Sequence, residues 1–135
     1  MDGKLAVELI KQKFGRIDHR VKFNMQRGRE FSASMTDQGI MVDNLGIQPL
    51  LPWMVFEEVI SLLIQNGGRA EKGDAMGCRL GDEGLPLNSI EGHIAQRFYG
   101  KNPGDSVFCR ISPISAILEW AGLCDSTRGE LILRQ

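Results

Sequence analysis

The side chains on which acid–base or metal chemistry would rest are few: His19, His93, Cys78, Cys109 and Cys124. His93 stands near Glu91 and Arg97, a grouping that general acid–base catalysis can use. The plainer reading is a surface histidine on a short helix. The cysteines are widely spaced, odd in number and never arranged as Cys-x-x-Cys, which suits reduced thiols in a cytoplasmic protein and leaves no zinc ligand set. No Gly-x-Ser-x-Gly, phosphate loop or metal-ligand pairing is written in the chain. The expectation is a protein without catalytic residues, metal or cofactor.

The remaining chemistry is that of cations against an anionic partner. Lys11, Lys13, Arg16, Arg20, Lys22, Arg27 and Arg29 face only Asp18 between positions 11 and 29, although the 135-residue chain carries a net charge of −1. Cations spaced along such a stretch can lie on phosphates, where released counterions add affinity. The alternative is a solvated helix end and strand face, offset by the net-acidic stretch 51–100. The pI of about 6.1 gives no global basic field.

The elements that must position these groups follow from periodicity. Residues 4–14 read as a helix with Leu5, Leu9 and Ile10 on its apolar side, ended by Gly15. Val21, Phe23 and Met25 alternate with Lys22 and Asn24. Phe31, Ala33 and Met35 alternate with Ser32, Ser34 and Thr36, and Ile40 and Val42 make a short third strand. A three-stranded antiparallel meander results, its polar face carrying Arg20, Lys22, Asn24, Ser32, Ser34 and Thr36. Pro52 suits the first turn of a helix to about Gln65, with Val55, Val59, Leu62 and Leu63 as core stripe. Residues 67–87 hold six glycines and read as a long mobile loop with one helical turn near Asp74 to Cys78. Asn88 with Glu91 forms a capping box for a helix to 99, and a turn spans 100–104.

Val107, Ile111, Ile114, Leu118 and Ala121 recur in steps of four and three, one face of a helix over 105–121 capped by Gly122. Pro113 opposes that reading. Ser112-Pro113 also suits a helix start, which would leave 106–111 extended. Leu123, a polar turn 125–129 and an alternating strand 130–133 complete a terminal hairpin. The stretch Ser106-Val107-Phe108, Arg110-Ile111, Trp120-Ala121-Gly122-Leu123 and Arg128-Gly129 resembles part of the N-terminal DNA-binding module of Mrr-type restriction proteins, within the winged helix-turn-helix superfamily. The resemblance covers the C-terminal part only. It implies a third helix in the major groove and a wing beside it. On that expectation Arg110 and Ser106 face base edges, Lys101 and Asn102 touch phosphate from the turn, and Arg128 reaches DNA from the wing tip, joined by Arg20, Lys22, Arg27 and Arg29. The bland counterparts are a salt-bridged Arg110 and a solvated Arg128. A nuclease core of spaced acidic residues and a lysine has one echo, Asp2-Gly3-Lys4, so the resemblance implies a binding module without its nuclease.

Trp53 and Trp120 read as core or interface residues. The most apolar stretch, Val59 to Ile64, is too short to span a bilayer, and the N-terminus lacks the pattern of a signal peptide. The expected class is α+β: residues 1–50 an N-terminal helix plus antiparallel meander, residues 51–135 a winged-helix-like three-helix part with a glycine-rich loop at 67–87 and a terminal hairpin. The expected role is a cytoplasmic, non-catalytic regulatory or accessory protein that binds double-stranded DNA as a homodimer. The rival readings are a protein–protein interaction module with a protein partner, and a small-molecule-binding regulator with a pocket between meander and helices.

Overall fold

The computed structural model describes residues 1–24 and 29–134. Helix α1 (Gly3–Gly15) opens on Asp2, whose carboxylate accepts from the Leu5 amide at 2.8 Å. Its buried stripe is Ala6, Val7, Ile10 and Phe14. Leu5, expected on that side, is exposed, and Leu9 is only half-buried. The stripe is rotated because α1 packs flush on the helix that follows the meander. A Cβ at Gly3 would lie 2.6 Å from the Glu57 carbonyl oxygen.

Four antiparallel strands then run in sequential order, β1 (Arg20–Asn24), β2 (Glu30–Met35), β3 (Gly39–Val42) and β4 (Leu50–Pro52). Alternation buries Phe23, Phe31, Ala33, Ile40, Val42 and Leu51 on one face. Phe23 and Phe31 are register partners with stacked rings 4.8 Å apart. Arg20 lies opposite Ser34 and Lys22 opposite Ser32, so the expected polar face forms. The fourth strand was not expected. It exists through its pairing with β3, which carries the chain directly into α2 (Trp53–Gln65). Pro52 is the N-cap of α2 rather than a residue of its first turn.

The C-terminal part is winged-helix-like. After α2 come β5 (Arg69–Glu71), α3 (Ile90–Tyr99), α4 (Ile111–Trp120), β6 (Cys124–Ser126) and β7 (Glu130–Leu133), the last two forming the terminal hairpin, and the small sheet has the order β5-β7-β6. Strand β5 occupies residues read as loop; it is held by β7, with Ala70 opposite Leu131. The rest of that loop is not loosely exposed: Leu80 and Leu85 are buried in a satellite core with Ala95 and Val107. One contiguous core joins α1 and the meander to the winged part. Trp120 at the end of α4 sits edge-on to Phe14 at 4.8 Å and to Phe23 at 5.8 Å. No helix among the described residues is long and apolar enough to cross a membrane.

Two corrections concern the helices that carry the winged part. Ser89, not Asn88, caps α3, accepting from the Gly92 amide at 3.1 Å. Glu91 therefore does not close a capping box. Its buried carboxylate crosses to the next helix, where both oxygens accept from the Arg110 amide at 2.9 and 3.1 Å. Helix α4 starts at Ile111, so residues 105–110 are not helical. Pro113 falls within the first turn, where a missing N–H removes no intrahelical bond. A helix extended back to 105 would place Pro113 in its interior. The stripe residue Val107 accordingly packs in the satellite core rather than along α4.

Arg110 is corrected for the same reason. It was expected on an exposed ridge, and it is 3% exposed. Its guanidinium lies 3.4 Å from the Tyr99 ring centroid and 4.9 Å from that of Phe108. It donates to the Phe108 carbonyl at 3.1 Å and to the Gln48 side-chain oxygen. Satisfied on every side by stacking and hydrogen bonds, it joins the α3 end, the 43–49 loop and the α4 start.

Burial pushes the Glu91 carboxyl up from 4.5 to about 7, against the pull of the Arg110 and Ile111 amides and of the Arg110 charge. Between pH 4.5 and about 7 the folded chain keeps a proton that the unfolded chain has released. Stability from this group therefore falls as pH rises through that window. Urea unfolding should show the wild type losing stability relative to Glu91→Gln across it, at most about 1.4 kcal/mol per pH unit; parallel pH profiles would contradict this. Arg110→Ala should cost about 2–4 kcal/mol by orphaning buried partners, and Arg110→Lys should recover little of it, because an ammonium cannot stack in that slot. A loss below about 0.5 kcal/mol would show that the clasp is not structural.

Candidate functional site

A cleft of about 630 Å3 lies along one face of α4. Its floor is one stripe of α4: Ile111, Ser112, Ser115, Ala116 and Glu119. Their spacing of three and four puts them on a single helix face. One wall is the loop end of the β1–β2 hairpin, with Asn24 and Arg29. The other is the wing and its neighbour strand, with Lys72, Gly73, Ser126, Thr127 and Arg128.

The sequence reasons for this placement are local. Asn24 ends β1, and Arg29 precedes β2, so both lie at the end where the two strands are joined. Thr127 holds the β6–β7 turn by accepting from the Glu130 amide at 3.0 Å while its own amide donates to the Glu130 carbonyl at 2.9 Å. That leaves Arg128 exposed at the tip. Glu119 accepts from the Ser126 amide at 3.0 Å and so ties the wing to α4. Lys72 donates to the Ser126 hydroxyl at 2.7 Å and to the Thr127 carbonyl. Burial lowers the Lys72 ammonium below its ordinary pKa, and the Glu119 charge opposes that shift.

Of the expected site residues, the fold brings Arg29 and Arg128 to the same cleft. Neither makes an ion pair with a described residue, so two exposed guanidiniums border an otherwise small and hydroxylated floor. Arg20 and Lys22 stay on the polar face of the meander, where Arg20 donates to Ser34 at 3.3 Å and Lys22 pairs with Glu30 at 2.9 Å. Arg27 lies outside the described residues. Lys101, Asn102 and Ser106 sit on the α3–α4 connection, away from the cleft lining. Lys101 is half-buried, and the Asn102 amide donates to Asp105 at 2.8 Å. Arg110 is buried and reaches neither solvent nor cleft.

The basic stretch does not form one field. Lys11 lies over the Trp53 ring and pairs loosely with Glu8, and Lys13 covers the Trp120 ring and donates to the Trp120 carbonyl. Two of its cations find local acidic partners, Lys11 with Glu8 and Lys22 with Glu30. The acid–base grouping around His93 is also not assembled. His93 meets Glu58 at 2.8 Å, Arg97 meets the same oxygen at 3.2 Å, and Glu91 points to α4. Burial raises the Cys109 and Cys124 thiols to about 12, which makes them poor nucleophiles. Among the described residues no cluster of His, Cys, Asp and Glu is arranged to hold a metal.

Lys72, Ser112, Ser115, Glu119, Ser126 and Thr127 were not anticipated. Ser112, Ser115, Ala116 and Glu119 follow an i, i+3, i+4, i+7 spacing beside the apolar stripe, a signal present in the sequence and overlooked. Lys72 carried no such signal, because its place depends on the pairing of β5. No family model, no curated protein and no solved structure matches the chain.

Proposed function

We propose that the protein is a non-catalytic DNA-binding accessory or regulatory protein whose contact surface is the rim of the α4 cleft. The observation that carries this reading is the pair Arg29 and Arg128, exposed and without an ion pair to any described residue, on either side of the outward stripe of α4 in a winged-helix-like part. A helix and wing in that order suit a duplex, with the third helix toward the groove and the wing along the backbone. The side chains available there suit phosphates better than bases. The floor offers Ser112, Ala116 and Glu119, and none is an arginine or amide able to read a base edge in bidentate fashion. With Arg110 withdrawn into the core, binding rests on charge and shape and tolerates many sequences.

A second reading, protein docking, is favoured by Ile47 and Met54, which are 90% and 62% exposed. The net charge of −1 also suits a protein partner better than a bare polyanion.

Fluorescence anisotropy with a labelled random-sequence duplex separates the two. The expected outcome is weak binding at about 50 mM salt that falls steeply with added salt, with a log–log slope of roughly −2 or steeper. Arg29→Ala and Arg128→Ala should each make that slope shallower by about 1. Absence of binding at low salt, or a slope unmoved by either substitution, would remove the DNA reading.

A further inference from the structure

The two sheets leave four edges among the described residues, on β1, β4, β5 and β6. An edge strand presents unpaired N–H and C=O groups to any chain able to add a strand beside it. Three of these edges are restricted. Strands β4 and β5 are three residues long, and β4 ends in Pro52, which has no N–H to offer. Strand β6 is equally short, and Glu119 already takes its Ser126 amide.

Strand β1 differs. It is five residues long, and β2 is its only strand neighbour. Just before it, the His19 carbonyl accepts from the Met35 amide at 2.8 Å. Bonded pairs alternate with unbonded ones in an antiparallel ladder, so Val21 and Phe23 bond to their partners Ala33 and Phe31. The N–H and C=O groups of Arg20, Lys22 and Asn24 therefore point away from the sheet. No group of a described residue bonds them, and all three residues are exposed.

The side chains along that edge define the strand that fits it. Successive residues of an added strand alternate between the two faces of the sheet. One set would stand beside Arg20 and Lys22 on the solvent face, the other beside Val21 and Phe23 on the core face. Arg20 meets no carboxylate and donates only to the Ser34 hydroxyl. Lys22 pairs with Glu30, but these side chains are 66% and 52% exposed, and a solvated pair of this kind exchanges readily for another carboxylate. A second copy of the chain fits poorly. Two β1 edges paired along their full length about a two-fold axis would set Lys22 against Lys22, and like charges directly opposite are unfavourable. The complementary strand has acidic residues opposite Arg20 and Lys22, with apolar residues between them.

We propose that the outer edge of β1 binds an extended segment of a partner protein, alternately acidic and apolar, by strand addition. The main chain supplies the affinity, and Arg20 and Lys22 select the partner. This goes beyond duplex binding and does not rest on it.

The test is anisotropy and amide hydrogen exchange of the full chain with a short capped peptide of alternating glutamate and valine. The controls are the same residues arranged in two blocks, an alternating lysine–valine peptide and a random-sequence duplex. The alternating acidic peptide should bind about tenfold or more tighter than either control peptide and slow exchange of the Arg20, Lys22 and Asn24 amides about tenfold or more. The Val21 and Phe23 amides, already bonded to β2, should change less. Reversing both charges, with Arg20→Glu and Lys22→Glu together, should weaken the acidic peptide about tenfold or more and turn the preference to the lysine–valine peptide. Lys22→Pro removes an outward N–H and spares the ladder to β2, so it should weaken both alternating peptides. No binding of the alternating acidic peptide at millimolar concentration overturns the proposal, as does equal binding of the block control or unchanged exchange at the three outward amides. Concentration-dependent protection of those amides without peptide would make the occupant a second copy and overturn it too. Displacement of the peptide by duplex would assign Arg20 and Lys22 to phosphates, with the same consequence. Duplex that binds beside the peptide, or fails to bind at all, leaves the proposal standing and decides the DNA reading separately.

Discussion

The carboxylate of Glu91 determines where helix α4 begins. By taking the Arg110 amide it ends the extended approach 105–110, starts α4 at Ile111 and fixes the rotation of that helix. The rotation decides which side chains face inward. Ile114, Ile117 and Leu118 enter the core, while Ser112, Ser115, Ala116 and Glu119 form the cleft floor. The same residue accounts for the fate of Arg110, which is drawn into the α3–α4 junction and closed off by Tyr99, Phe108 and Gln48. A buried carboxylate is a costly device, and the amides and the Arg110 charge offset only part of that cost, since burial still lifts the group to about 7.

The N-terminal helix and meander are built into this arrangement. Trp120 plugs the seam between α4 and the meander against Phe14 and Phe23, and Lys13 lies across its exposed side. The loop end of the β1–β2 hairpin is thereby brought opposite the wing, and a helix face that would be convex in an isolated winged part becomes the floor of a cleft.

How much was legible in the sequence depended on whether the signal was local. Alternation in 20–35 was readable because Phe23, Phe31 and Ala33 must share a face, and the polar partners Arg20–Ser34 and Lys22–Ser32 followed. The two three-residue strands were not readable. Leu50–Pro52 ends in a proline and Arg69–Glu71 has one buried apolar residue, so each is a strand only because a neighbour pairs with it. The start of α4 was undecidable from Pro113 alone, since the decisive group is Glu91 on another helix. Arg110 was misplaced because a lone arginine is ordinarily exposed, and its burial needs Tyr99 and Gln48 from distant parts of the chain. Arg29 and Arg128 were legible as cations, but their common cleft required the tertiary fold.

The most direct measurement is a residue-by-residue amide chemical-shift map of the labelled protein during titration with a short random-sequence duplex. The account predicts shifts concentrated at Asn24, Arg29, Gly73, Ser112, Thr127 and Arg128, with Lys101, Asn102 and Ser106 unmoved. Shifts centred on the 101–106 connection with the cleft residues silent would contradict it.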